Sequence, residues 1–133
     1  MNERIILISH SDFAVGIKSA VEMIVGKQAS IEAYGLIPGE HPEIIINKVK
    51  DSIKEEDRII ILSDLVGGSM NNTAMTLLEY PNVTLIAGVN LPLAIEVALT
   101  KPQTDEEIEK VIEVAKTSIK HMKLEKIEDD FFF

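Results

Sequence analysis

The sequence predicts an α/β fold, a flavodoxin-like three-layer sandwich whose parallel sheet runs in the order 2-1-3-4 with helices on both faces. Two observations lead there. Short apolar runs rich in β-branched residues, Ile5-Ile6-Leu7-Ile8 and Ile59-Ile60-Ile61-Leu62, are continuous rather than alternating, as strands buried on both faces read. Segments of 3.6-residue periodicity separate them, and strand–helix alternation of this kind implies parallel strands joined by crossover helices. Within that class the flavodoxin-like order suits a chain of 133 residues.

Arg4 to Ser9 is the first strand, and His10-Ser11-Asp12 leads into a helix whose apolar positions are Phe13, Ile17, Ala20, Val21 and Ile24. Gly26 fits the stop of that helix. Ser30 to Gly35 is a short second strand, Pro38-Gly39 a tight turn, and Pro42 the first turn of a helix carrying Ile45, Val49 and Ile53. The third strand, from Ile59, stops at Ser63-Asp64, and two glycines precede a helix from Asn72 to Leu78 that extends to Glu79. Pro81-Asn82 breaks the chain before strand four, Val83 to Ala87. Asn90 is placed to cap the next helix, with Pro92 in its first turn, and Pro102 ends it. Thr104 and Glu107 form a capping box for a last helix reaching about Lys120, with Ile108, Val111, Ile112, Ala115 and Ile119 on its apolar face. Met122 to Ile127 is a weaker fifth strand, and residues 129–133 form a tail ending in Phe131-Phe132-Phe133. Met23, Met70, Met75 and Met122 are expected as core filling.

Residues 1–133 read as one domain, with 46% hydrophobic residues and no apolar run near the roughly 18 needed to span a membrane. Met1-Asn2-Glu3-Arg4 enters a strand directly, without the pattern of a signal peptide, so a cytoplasmic protein is expected. Without cysteine there is no disulfide, thiolate metal site or cysteine nucleophile. A formal charge of −9 argues against nucleic acid as a partner.

The order 2-1-3-4 makes strands 1 and 3 neighbours, about 4.8 Å apart. His10 at the end of one and Asp64 at the end of the other are then within hydrogen-bonding reach, on the rim where such folds bind ligands. A carboxylate that accepts one imidazole N–H fixes the tautomer and leaves the other nitrogen as a lone pair. Gly67, Gly68 and Ser69, leading into a helix, supply backbone N–H groups suited to an anion. An activated histidine beside such donors is a site for accepting a phosphoryl group covalently, with no metal or other cofactor required. A lone histidine after a strand is more often a turn residue; its coincidence with Asp64 tips the balance, whereas His41 and His121 lack any such partner.

Four segments in order, Ile8-Ser9-His10, Pro38-Gly39-Glu40, Asp64-Leu65-Val66-Gly67-Gly68-Ser69-Met70-Asn71 and Gly88-Val89-Asn90-Leu91-Pro92, together resemble the IIA domain of the mannose-type (mannose/fructose/sorbose) sugar phosphotransferase system. The resemblance implies that the phosphocarrier HPr phosphorylates His10, that a IIB component accepts the group, and that membrane IIC and IID components take part indirectly. It also implies pairing of Asp64 with the histidine, contact of Gly68 and Ser69 with phosphate, and a homodimer that exchanges the C-terminal strand. Two positions depart from the pattern: Ser11 where glycine is frequent, and Met70 where proline is usual. The first resembles instead the phosphoryl-donor subunit of a dihydroxyacetone kinase system. That subunit is one alternative; a non-catalytic regulatory IIA-like sensor domain is another. A flavin module on the same fold lacks support, for the loop after strand 1 is not a phosphate cradle. Nothing in the chain identifies the sugar.

Overall fold

Four strands, β1 (Glu3–His10), β2 (Ile31–Leu36), β3 (Arg58–Ser63) and β4 (Val83–Ala87), form a sheet in the order β2-β1-β3-β4 with every neighbouring pair parallel. This is a computed structural model, and it describes residues 3–27 and 30–124. The helices are α1 (Phe13–Val25), α2 (Pro42–Ser52), α3 (Ser69–Ala74), α4 (Leu91–Thr100) and α5 (Asp105–Thr117). A 3-10 segment, Met75–Glu79, continues α3. No helix among the described residues is long and apolar enough to cross a membrane.

The continuous apolar runs are explained by two cores, because successive strand residues face opposite sides. Ile5 and Leu7 of β1, with Ile60 and Leu62 of β3, pack against Val21 of α1, Leu93 and Val97 of α4 and Val111 of α5. Ile6, Ile8, Ile59 and Ile61 face the other way, onto Ile46 and Val49 of α2, Met70 and Ala74 of α3, and Leu77. Each fully buried side chain of this size contributes about 1.5–3 kcal/mol by removal from water. A polar residue on either face of the central strands needs a hydrogen-bond partner to offset that cost, as Ser9 and Ser63 have.

The amino-terminal end of the sheet is tied by charge. Arg4 donates from Nε and Nη2 to the two Glu32 carboxylate oxygens at 2.8 and 2.9 Å, and its Nη1 lies 3.5 Å from Asp57. The bond from Arg4 holds Glu32 below its ordinary pKa despite burial.

Several boundaries and faces differ from those the sequence suggests. Strand β1 runs on through His10, and β2 is displaced one residue, to Ile31–Leu36. Helix α3 starts at Ser69, not Asn72, since the Asn72 N–H already donates to the Gly68 carbonyl. In α1 the inward stripe is Ala14, Ile17, Val21 and Val25, while Phe13 and Ile24 face solvent. The Ser9 hydroxyl accepts the Ala14 N–H at 2.7 Å and holds the first turn with Ala14 against the sheet. Helix α5 stops at Thr117, so Ile119 lies beyond it, exposed. Of the four methionines expected inside, only Met70 is buried; Met23, Met75 and Met122 are exposed. The caps at Asn90 and Thr104–Glu107 form as expected, and Gly26 closes α1 at φ 90°. Residues 125–133 lie outside the described residues, and with them half of the expected fifth strand and the Phe131–Phe133 tail. Met122 and Leu124, its described part, are exposed.

Behind His10 the chain turns sharply. Ser11 adopts φ 51°, the left-handed region, and donates its N–H to the Leu36 carbonyl at 2.8 Å. Its own carbonyl crowds Gly35 so closely that a Cβ there would overlap it. Gly35→Ala must therefore displace the loop that follows His10. It is expected to destabilise the protein by roughly 1–3 kcal/mol, as overpacking does, seen as a lower thermal midpoint by circular dichroism. An unchanged midpoint would mean that the loop yields freely.

Candidate functional site

The ladder between β1 and β3 ends at Ile8 opposite Ser63. Beyond it the next β1 N–H on that side, His10's, meets no strand carbonyl. The Asp64 side chain takes its place: Oδ2 accepts the His10 backbone N–H at 2.8 Å. The same oxygen lies 2.8 Å from His10 Nδ1. Oδ1 accepts the Leu65 N–H at 3.0 Å. The carboxylate thus finishes the sheet hydrogen bonding and orients the ring in one stroke.

With Asp64 ionised, Nδ1 carries the proton of that contact, and in the neutral imidazole Nε2 then presents its lone pair. The two partners differ in access: the His10 side chain is 50% exposed and that of Asp64 only 10%. Burial pushes the Asp64 pKa up. The bonds from the His10 N–H and ring, the attraction of His10 and the Leu65 N–H together outweigh it and hold the carboxyl below its ordinary value.

The glycine turn lies against this pair. A Cβ on Gly68 would come within 3.2 Å of His10 Cε1 and 3.3 Å of Leu65, so bare backbone packs beside the imidazole. The Gly68 N–H, however, turns back to the Leu65 carbonyl at 3.2 Å. Gly68 therefore offers proximity and not a free donor. Gly67 adopts φ 82°, where a side chain would be strained, and the exposed Ser69 opens α3. The first N–H groups of a helix have no partner within it. His10, Asp64 and Gly68 are thus brought together, with Gly67 and Ser69 flanking Gly68 in the same turn.

His41 precedes α2 and makes no side-chain capping bond; His121 lies past the end of α5. Neither joins the site. Among the described residues no group of three or more His, Asp or Glu is arranged to hold a metal ion.

Sequence reasoning missed the buried polar residues beneath the rim. Ser63 donates its hydroxyl to Asn71 Oδ1 at 2.6 Å, and the Ser63 carbonyl accepts from Gly88 and Val89 at 3.0 and 2.9 Å. Ser9 caps α1 as described above. A signal was present in the polar Ser9 and Ser63 ending two otherwise apolar strands, each directly before a site residue.

The family sequence model "PTS system fructose IIA component" (EIIA-man) matches residues 4–116. The mannose-specific EIIAB component of Escherichia coli is 27% identical over 96% of this chain, which spans 42% of the length of that protein. The fructose-specific EIIA component of Bacillus subtilis is 31% identical, covering 70% of this chain and 66% of its own. Among solved structures, the mannose/sorbose-specific IIA subunit from Enterococcus faecalis superposes with a TM-score of 0.83 at 26% identity, covering 96% of this chain and 100% of that one.

Because the folded-state pKa of Asp64 is depressed, its ionisation stabilises the protein fully above the ordinary value of 3.8 and ceases to do so as pH falls through the lower folded value. Asp64→Asn is expected to cost about 1 kcal/mol at pH 7, after allowance for solvent screening at the rim. The gap in urea-unfolding free energy between wild type and variant should close as the pH drops below 3.8. A gap independent of pH would mean that Asp64 matters here only as a shape.

Proposed function

The chain belongs to the EIIA-man family of phosphotransferase-system IIA components, and from that premise we propose that it is a phosphocarrier acting through His10. The donor is phospho-HPr, and the acceptor is a IIB component that serves IIC and IID membrane partners from the cytoplasm. One observation supports this above the rest: Asp64 occupies Nδ1 of a half-exposed histidine, leaving Nε2 as the accessible nucleophile.

In this reading the Nε2 lone pair attacks phosphorus while the bond from phosphorus to the donor's histidine nitrogen breaks. The donor nitrogen recovers its electron pair, and the Nδ1 proton of His10 stays in place, bonded to Asp64. Phosphorylated His10 is then a cationic imidazolium carrying an anionic phosphoryl group, and the Asp64 carboxylate stabilises the ring charge. Gly67, Gly68 and Ser69 form the phosphate-binding turn: Gly68 keeps the space beside the ring clear, and the start of α3 with the Ser69 hydroxyl faces the anion. Transfer to the IIB component reverses the same step.

Protein partners need a surface on which to dock. Phe13, Ile37, Leu65 and Val66 are exposed, and each lies within three residues of His10, of its β2 pairing partner Leu36 or of Asp64. An apolar rim around a nucleophile suits a protein donor better than a small polar one.

The proposal extends to a homodimer exchanging about Met122 to Ile127. Among the described residues strand β4 pairs only with β3, leaving its other edge open there. Beside it lies a depression of about 270 Å³ lined by Ile86, Leu93, Ile112, Ala115 and Ile119, apolar surface that a crossing strand would cover.

His10→Ala should fold normally and take no phosphate from phospho-HPr, as read by intact mass; labelling that persists at His41 or His121 would overturn the assignment. Gly68→Val should slow transfer at least tenfold by crowding Cε1, with its fold checked by circular dichroism. For the dimer, sedimentation of the full chain and of a chain ending at Lys120 decides. Only the full chain should dimerise, and two monomers at micromolar concentration would rule out the exchange.

A further inference from the structure

Helix α3 carries the glycine turn's far end, yet it is only six residues long before it tightens into the 3-10 segment. A helix this short has little internal rigidity, so its position depends on what it touches. Its apolar contacts are Met70 and Ala74, both fully buried in the second core. They seal α3 onto the sheet face. Dispersion contacts are not directional, and an unbranched thioether adapts to small shifts. They leave sliding and rotation of α3 along the face weakly specified.

One bond is directional. Asn71, 5% exposed, accepts the hydroxyl of Ser63 at 2.6 Å, and Ser63 itself is fully buried. Among the described residues it is the only side-chain hydrogen bond between α3 and β3, the strand that leads into Asp64. Ser63 is fixed from three other sides as well. It pairs with Ile8 of β1 and Ala87 of β4, and its carbonyl accepts the N–H groups of Gly88 and Val89. A rigid strand end therefore holds the third residue of α3, and between the two anchors runs the segment from Asp64 to Met70. That segment contains the carboxylate on His10 and the glycine against its ring.

We infer that Ser63 and Asn71 are positioning residues for the phosphoryl-transfer site: their buried hydrogen bond sets the register of the glycine turn against the His10–Asp64 pair. The inference rests on the assignment of His10 as phosphoryl acceptor only for its effect on rate. Its effect on the ring is independent of any donor. Without the bond, α3 slides, the turn relaxes, and Asp64 no longer presents one oxygen to both N–H groups of His10.

Structural and positioning roles separate in the double variant Ser63→Ala with Asn71→Leu. Removing one partner alone strands a buried polar group, whereas removing both leaves none stranded and restores most of the stability. Three measurements on the full chain apply: thermal midpoint, the His10 ring tautomer by nitrogen-15 correlation spectra, and labelling by phosphoramidate, a small donor that needs no docking surface. Each single variant should melt lower than wild type. The double variant should recover the midpoint yet still show mixed His10 tautomers and labelling about tenfold slower. Recovery of both tautomer and rate along with the midpoint would overturn the inference, since a merely structural bond behaves so. An unchanged tautomer in all three variants would overturn it too, whether or not phospho-HPr proves to be the donor. Failure of the donor assignment would show instead as wild type labelled by phosphoramidate and not by phospho-HPr.

Discussion

A single carboxylate oxygen accepting two N–H groups of one residue governs the arrangement. Asp64 Oδ2 meets the backbone N–H and the ring Nδ1 of His10, both at 2.8 Å. The first contact belongs to the sheet: it replaces the carbonyl that the β3 ladder no longer supplies after Ser63. The second belongs to the chemistry. Because one atom does both, the ring cannot turn without disturbing the strand end, and the precision of a parallel sheet is passed to a side chain. This requires strands β1 and β3 to be neighbours, and the order β2-β1-β3-β4 makes them so.

The remaining structure keeps that contact in place from both directions. Above and below, the two cores clamp β1 and β3 through alternate residues, so a slip of either strand by one position would exchange the residues packed in the two cores. At the far end, Arg4 binds Glu32 from β2 and approaches Asp57 beside β3, joining three chain segments around the sheet's amino-terminal edge. At the near end, the turn behind His10 is held by Ser11 at φ 51° and by the bare face of Gly35. A serine in the left-handed region costs about 1 kcal/mol relative to glycine, and its N–H bond to Leu36 offsets part of that. The sequence departure at Ser11 therefore falls at a position whose backbone conformation glycine would adopt without strain.

Strand order, helix alternation and the meeting of His10 with Asp64 were legible because each follows from local pattern joined to one topological rule. Buried β-branched runs mark the strands, and adjacency of strands 1 and 3 does the rest. What stayed hidden depends on rotation and on partners distant in sequence. The inward stripe of α1 keeps Ile17 and Val21 but takes Ala14 and Val25 in place of Phe13 and Ile24, a rotation of less than the roughly 100° of one residue, and the hydroxyl of Ser9 goes with it. The start of α3 at Ser69 could not be seen because Gly68, an indifferent helix residue by propensity, gives its carbonyl to Asn72. The Ser63–Asn71 bond joins side chains eight residues apart, and no periodicity announces such a pair. Methionine was the weakest guide: a flexible side chain is tolerated inside and outside, and three of the four expected inside sit in solvent.

The proposed function must also explain why the histidine, and not the carboxylate beside it, would take the phosphoryl group. Asp64 is the more deeply placed, and three N–H contacts occupy its two oxygens: the His10 backbone, the His10 ring and Leu65. Attack by either oxygen would give up hydrogen bonds that hold the sheet end and would leave N–H groups without partners, at about 1–3 kcal/mol for each buried one. His10 gives up nothing comparable, since its ring is half exposed and Nδ1 is already satisfied. A depressed carboxyl pKa adds to the contrast, because a weaker base is a poorer nucleophile. Under the proposed function, Asp64 is then spent on structure and His10 is the group left for transfer.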